Sequence, residues 1–476
     1  MTRKTTGTDA IVVGSGPNGL AAAITLAQAG HSVQVLEARN TIGGGCRSAE
    51  LTLPGFVHDT CAAIHPMAVA SPFFRDLPLH DYGLSWIQPP LALAHPFDDG
   101  TVAVLSLSMH ETTDSLGGDG VAWSDAFTPL ARDFDLLIDQ LLGPLRLPRY
   151  PGALARFAPP ALLSANRYAR TRFSEDRARA LFVGMAAHSM LDLSQPISAA
   201  FGLVLGMMGH TVGWPIPRGG SQRIADALAA RLRSLGGTVQ TNTPVTSLEV
   251  AEGARAVLFD ITPRQFLDIA GDQVPATYRR TLGRYRYGPG VFKIDWALDG
   301  PVPWTAPECE RAGTVHLGAT FEEIAASERE VAHGGHPERP FVILAQQSLF
   351  DPTRAPAGKH TLWGYCHVPN GSTVDMTDRI ETQIERFAPG FRDRILARAT
   401  RDTLESETTN ANIIGGDING GMQDWRQLFT RPTPRLDPYS TPNRRLYFCS
   451  ASTPPGGGVH GMAGYHGARS AMKKAW

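Results

Sequence analysis

Two glycine-rich stretches carry most of the chemistry that this sequence can do. The first, Gly14-Ser15-Gly16-Pro17-Asn18-Gly19, has the spacing G-x-G-x-x-G. There the first glycine makes a tight turn, the second lets backbone approach a pyrophosphate, and the third lets a helix close on a strand. Glu37 stands 18 residues beyond Gly19, near the spacing at which a carboxylate bonds a ribose hydroxyl. The second stretch, "PPGGGVHGMAGYHGARS" from Pro454 to Ser470, holds six glycines with His460 and His466. A phosphate loop, a metal site and the wall of a cofactor site could each use such a run. The metal option is weakest, because the two histidines have no third ligand in spacing.

The elements around the first motif suit its role. "DAIVVGSGPNGLAAAITLAQAGHSVQVLEA" reads as strand, glycine turn, helix and strand. Ile11 to Val13 form the apolar run of a strand covered on both faces. Leu20 to Ala29 form an alanine-rich helix whose first amides face an anion, and Gly30 stops it. "SVQVLEA" returns as a second parallel strand ending at Glu37. Pro17 and Asn18 within the turn, and Ala38 and Arg39 after Glu37, are counted with the dinucleotide contacts. A second glycine cluster, Gly43, Gly44 and Gly45, follows closely, with Arg47 just beyond it.

Bulk properties narrow the class. A length of 476 residues suggests two domains, or one with a large insertion. Lys and Arg (44) nearly cancel Asp and Glu (45), so no field of one sign attracts nucleic acid. The five cysteines show no C-x-x-C, which argues against a disulfide framework, a zinc site or a thiol-redox pair and favours a reducing cytoplasm. "MTRKTTGTDA" runs into the first strand and leaves no room for a signal peptide. The most apolar stretch, Ile197 to Trp214, reads as a core helix or cavity lining rather than a transmembrane span, with peripheral membrane contact as its alternative. His58, His65, His188, His210, His316, His360 and His367 lack ligand spacing and are read as structural or surface residues. No G-x-S-x-G, P-loop or EF-hand pattern is present.

Further along, Ser71 to Pro217 reads as helical segments broken by prolines, Pro129 and Pro144 among them, an inserted domain in which "AFTPLARDFDLLIDQLLGPL" is amphipathic and helical. Pro217 to Val250 gives a helix with Ile224, Leu228 and Leu232 on one face, then a strand. Ala256 to Ile261 is another buried strand. In Tyr287 to Trp304, Val291, Lys293 and Asp295 alternate with Phe292, Ile294 and Trp296, a strand pattern. Leu446 to Cys449 reads as a short strand, and a last helix starts near Val459 to Gly461.

The segment "EARNTIGG", followed by "PGFVHD", resembles the FAD-binding superfamily of phytoene desaturases, carotenoid isomerases and flavin amine oxidases. In that family the E-x-x-x-x-x-G-G segment packs along the FAD diphosphate and ribityl. The family commonly has Arg directly after the two glycines, whereas here Gly45 and Cys46 precede Arg47. Cys61 stands where the family has a small glycine and is read as a buried, inert thiol. By the same resemblance, Thr243, Pro244 and Val245 contact the adenine, and Lys293 matches a lysine that holds a water at flavin N5. At the end of the chain Thr453, Pro455, Gly456, Gly458 and Gly461 match the family motif whose helix start lies beneath flavin N1. Val459 and His460 belong to this run, and His460, replacing the proline of the carotenoid enzymes, is a candidate acid/base at the flavin edge or a residue that holds the loop. "GGGVHGM", "VGWPIPRGGSQRIADAL" and "DINGG" bring the whole chain close to the phytoene dehydrogenase-related, pyridine nucleotide-disulfide oxidoreductase domain 2-like group.

The resemblance implies an α/β fold: a discontinuous Rossmann-type FAD domain with a parallel sheet (1–70, 215–265 and 435–476) and an α+β substrate domain with a mixed sheet and helices (71–214 and 266–434). It implies an FAD-dependent dehydrogenase or desaturase that moves hydride from a substrate C–H to flavin N5, forming C=C or C=N, with Lys293 and His460 as candidate catalytic residues. A redox-neutral isomerase and a non-catalytic flavin-binding protein are the rival readings. The expected substrate is small and apolar or conjugated. With one dinucleotide turn visible, O2, a quinone or a protein is the expected electron acceptor. The chain is compatible with a homo-oligomer.

Overall fold

Ala10–Val13 is buried at every position because it is the middle strand of a five-stranded parallel sheet. The order is Leu446–Phe448, Ala256–Phe259, Ala10–Val13, Val33–Leu36, Thr238–Gln240. These observations come from a computed structural model that describes residues 7–476. Residues 1–6, part of the stretch in which no signal peptide is expected, lie outside the described residues. Three separated stretches of chain therefore supply one sheet. Register places Ala10 opposite both Ala256 and Val33.

The glycine turn leads into the helix Pro17–Gln28, three residues earlier than the apolar pattern suggests. Proline at the first helical position explains the early start, since its missing N–H is one that a helix start leaves unpaired anyway. This helix packs against the C-terminal helix Met462–Ala475. At the contact, a Cβ on Gly464 would lie 1.8 Å from the Asn18 carbonyl oxygen, so only glycine allows the two backbones to meet.

The second sheet has seven strands in the order Ile395–Arg401, Gly290–Leu298, His360–Val368, Val342–Ala345, Ala312–Leu317, Leu91–Pro96, Val102–Leu105. All neighbours are antiparallel except Ala312–Leu317 with Leu91–Pro96, so the sheet is mixed. The fold class is thus α/β, with a Rossmann-like parallel sheet beside a mixed sheet. Helices of the 120–209 stretch pack against one another and against the edge of the mixed sheet. The helical stretch expected over residues 126–145 comprises two helices, Gly120–Arg132 and Phe134–Leu141, which meet at Asp133; Pro129, expected to break it, lies inside the first.

Ser198–Gly209 is apolar all round because both of its faces are used. Its glycines allow close packing: a Cβ at Gly202 would meet Phe182 at 2.9 Å, at Gly206 Phe127 at 2.4 Å, and at Gly209 Leu105 at 2.4 Å. Ala200, Phe201, Val204 and Leu205 face a cavity instead. Among the described residues no helix is long and apolar enough to cross a membrane.

Candidate functional site

One continuous cavity of about 1120 Å³ runs from the glycine turn into the helical region. Small-molecule sites commonly span about 300–1,000 Å³, so this one has room for a dinucleotide together with a second molecule. At the first end its wall includes Gly14, Gly16, Pro17, Asn18, Glu37, Ala38, Arg39 and Thr243 to Val245. The Glu37 carboxylate is oriented by three donors: Ser15 N–H at 3.1 Å, Ser15 Oγ–H at 2.6 Å and Arg39 N–H at 2.8 Å. Thr243 N–H donates to the Glu37 carbonyl at 2.8 Å, which brings the Thr243–Val245 segment beside the end of that strand.

The cradle fits a dinucleotide. A Cβ at Gly16 would lie 2.5 Å from Asp260 Oδ2, and one at Gly19 would lie 2.2 Å from the Gly14 carbonyl. Asn18 Oδ1 is buried at the helix start without a partner. The two glycine clusters touch, since a Cβ on Gly44 would be 3.2 Å from Gly16 Cα. Gly19 and Gly43 lie behind the wall, where they let Asp260 and Ala225 pack closely. Asp260 accepts from Gly19 N–H at 2.9 Å. Burial nevertheless pushes its carboxyl up to about 8, opposed by that hydrogen bond and reinforced by the nearby charge of Glu37. A neutral acid there avoids repelling an anionic phosphate.

Past Gly44, Gly45 and Arg47 the wall continues through Cys61. Arg47 donates to the carbonyls of Gly44 (3.0 Å) and Thr409 (2.9 Å), and Arg39 donates to the Thr408 carbonyl. The two arginines therefore fasten the helix Thr403–Thr409 over this part of the cavity. All five cysteines are free. Cys61, expected to be a buried, inert thiol, is half-buried on the wall, and burial among its neighbours raises its thiol pKa.

Strand Gly290–Leu298 is buried on both faces. Lys293 lines the cavity and forms a buried ion pair with Asp295. Its Nζ lies 5.6 Å from the centroid of the Trp363 ring. Burial pushes the lysine down and the aspartate up, and their mutual attraction opposes both shifts. His58 Nδ1 lies 3.6 Å from Asp295 Oδ1 behind the pair.

The C-terminal run contributes Pro454, Pro455, Gly457, Gly458 and Val459 to the wall, whereas Gly456, His460 and Gly461 lie behind it. His460 is fully buried. Met462 N–H donates to its Nδ1 at 3.0 Å, which leaves Nε2–H to donate to the Gly456 carbonyl at 3.2 Å. Burial lowers its pKa to about 4. Both ring nitrogens are used within the loop, so the geometry corrects the acid/base expectation: His460 holds the glycine run in shape. The last helix begins at Met462, with Gly461 at its N-cap.

A model of the flavin containing amine oxidoreductase family matches residues 18–471. The chain belongs to that family. Among its relatives, the pyridine nucleotide-disulfide oxidoreductase domain-containing protein 2 of Rattus norvegicus is 26% identical, over 97% of this chain and 92% of its own. The 4,4'-diaponeurosporene oxygenase of Staphylococcus aureus is 23% identical over 94% of each chain. The crystal structure of an oxidoreductase from Methanosarcina mazei superimposes with a TM-score of 0.66 at 18% identity, covering 98% of this chain and 100% of that one. The family is flavin-containing and the chain has its oxidoreductase fold.

Several residues of the candidate site were not singled out from the sequence. Asp260 follows a strand that pairs with Ala10–Val13, and an acidic residue at the end of that neighbouring strand was the available clue. Trp363 and Tyr365 reach the cavity only through strand register. Asp417 and Asn419, in the "GGDINGG" loop, also line the wall. Arg431 is fully buried behind the C-terminal loop, and a Cβ at Gly456 would lie 2.6 Å from its Nη1.

Proposed function

We propose that the protein binds FAD and oxidises an elongated, largely apolar substrate by removing hydride from a C–H bond, forming C=C or C=N. The observation that carries this reading is the single cavity joining the glycine cradle to an apolar chamber, with Lys293 between the two. When bound, FAD supplies the hydride acceptor at N5. Glu37 is oriented to accept from a ribose hydroxyl, and the turn Gly14 to Asn18 offers backbone to the diphosphate. Thr243 to Val245 would hold the adenine, and Pro455 to Val459 would support the flavin. Arg431 and the start of the helix Met462–Ala475 place positive potential behind that floor, which favours negative charge developing above it. Lys293, held by Asp295, keeps an ammonium donor at the junction where substrate and flavin meet. Apolar walls from Phe157, Ile197, Phe201 and Leu205 exclude water and hold a hydrocarbon skeleton in place.

The test is anaerobic mixing of FAD-loaded protein with apolar and conjugated compounds. The expected result is bleaching of the flavin band by at least one of them, with a product two hydrogens lighter. Lys293→Met is expected to slow bleaching by about 100-fold. A product of unchanged mass would replace the dehydrogenase reading with an isomerase, and a flavin that no compound bleaches would overturn it.

A further inference from the structure

Strand register sets a row of side chains across the cavity face of the mixed sheet. Lys293 stands opposite Tyr365, Tyr365 opposite Ile343, and Ile343 opposite His316. Neighbouring strands are about 4.8 Å apart, so His316 lies roughly 14 Å from Lys293 along the row. His188, on the short helical turn Ala187–Ser189, meets this far end. Its Nε2 is 3.1 Å from His316 Nε2. His188 lines the cavity, and with its Nε2 engaged by His316 its Nδ1 is left for whatever the cavity holds.

The proton positions follow from what is buried. Across an Nε2 to Nε2 contact between two neutral imidazoles, one ring donates and the other accepts. Burial keeps both rings neutral, lowering His188 to about 3 and His316 well below the ordinary value. His316 Nδ1 is buried without a partner and faces Gly184, where a Cβ would lie 2.9 Å away. Orphaned buried N–H groups are rarer than under-used acceptors. His316 therefore carries its proton on Nε2 and donates it to His188, whose own proton sits on Nδ1 as a donor to the cavity. Thr314 lies two residues before His316 on the same strand face. Its Oγ1 is also buried and unpartnered, and the residue lines the cavity. Two polar groups without protein partners, His188 Nδ1 and Thr314 Oγ1, thus belong to residues of the cavity wall.

We propose that His188 and Thr314 form an oxygen-recognition subsite that selects substrates bearing a hydroxyl or carbonyl oxygen on the order of 10–14 Å from the bond that is oxidised. This rests on the oxidation proposed above for the Lys293 end and names the substrate class: long apolar alcohols and ketones. A hydroxyl or carbonyl accepts from His188 Nδ1–H, and the Thr314 hydroxyl can turn to donate or accept. A protonated amine meets an N–H donor there and is disfavoured.

The test measures binding to FAD-loaded protein by quenching of tryptophan fluorescence, since Trp214 and Trp363 line the cavity. The probes are decane, 1-decanol, 2-decanone and decylammonium. Desolvation of the oxygen affects the absolute affinities, so the quantity read is the ratio of decane Kd to decanol Kd and its change on substitution. His188→Phe is expected to lower this ratio by at least about tenfold, and Thr314→Val by about three- to tenfold, both with decane binding retained. Decylammonium is expected to bind more weakly than decanol. A ratio unchanged in both variants, or decylammonium binding as tightly as decanol, would overturn the subsite. Retained decane binding reports that a variant is folded, and if His188→Phe does not fold, the isosteric Thr314→Val decides. Because no turnover is needed, a protein that passes this test yet never bleaches would sink the proposed oxidation and leave the subsite standing.

Discussion

Asp260 is a carboxyl buried where an anion is expected, and its protonation makes that arrangement workable. Its pKa is raised from an ordinary 3.8 to about 8, so the folded state binds the proton more tightly than the unfolded chain. Its contribution to stability is therefore complete below about pH 4 and is lost as pH climbs towards 8. In cofactor-free protein the unfolding midpoint is expected to fall over that window. Asp260→Asn should flatten the profile and gain on the order of 1–3 kcal/mol at pH 8. Urea unfolding at a series of pH values checks this, and a parallel pH dependence in both proteins would contradict it. The cradle glycines were legible because the motif is local in sequence. Asp260, His188 and Thr314 were not, since each acquires its neighbours only through strand register or a distant helix. His460 shows the converse: its position in a glycine run singled it out, but only geometry reveals that its two nitrogens are spent on the loop.

Among the elements, the pairing of Pro17–Gln28 with Met462–Ala475 matters most to the site, because the first residues of one helix form the cradle and the other helix follows the C-terminal floor. Gly464→Ala would place its Cβ 1.8 Å from the Asn18 carbonyl, against backbone that has nowhere to yield. The expected cost is at the upper end of over-packing, about 3 kcal/mol, with weaker FAD binding because Asn18 moves with the helix. Unfolding together with FAD titration tests this; stability and affinity both equal to the parent would show that the contact is loose. Element types were readable from apolar periodicity, but ends were set by details that periodicity does not see. Pro17 advanced one helix start, and the helical stretch 126–145 divides at Asp133 rather than at Pro129. Lys293 lies on a strand whose alternation suggested one polar face, yet both faces are buried, because the polar row borders an internal cavity.

For the whole molecule, the decisive property is that separate stretches of chain close around one cavity. The parallel sheet draws strands from residues 10–36, 238–259 and 446–448, and the mixed sheet draws on 91–105 and 290–401. The turn, helix and strand of Pro217 to Val250 were legible from local pattern, but the return of the chain to the first sheet there was expected only from the family resemblance. The joining of the cradle to the apolar chamber was not, since it depends on how the 120–209 helices pack over the mixed sheet. That junction is what the proposed function rests on: the cavity runs from the glycine turn into the apolar chamber, and Lys293 is among its lining residues. The most direct measurement is the visible absorption spectrum of the purified protein, with the bound nucleotide released and identified. The account predicts a flavin band from FAD, bound as isolated or taken up on reconstitution. Protein with no such band and no uptake of FAD would contradict it.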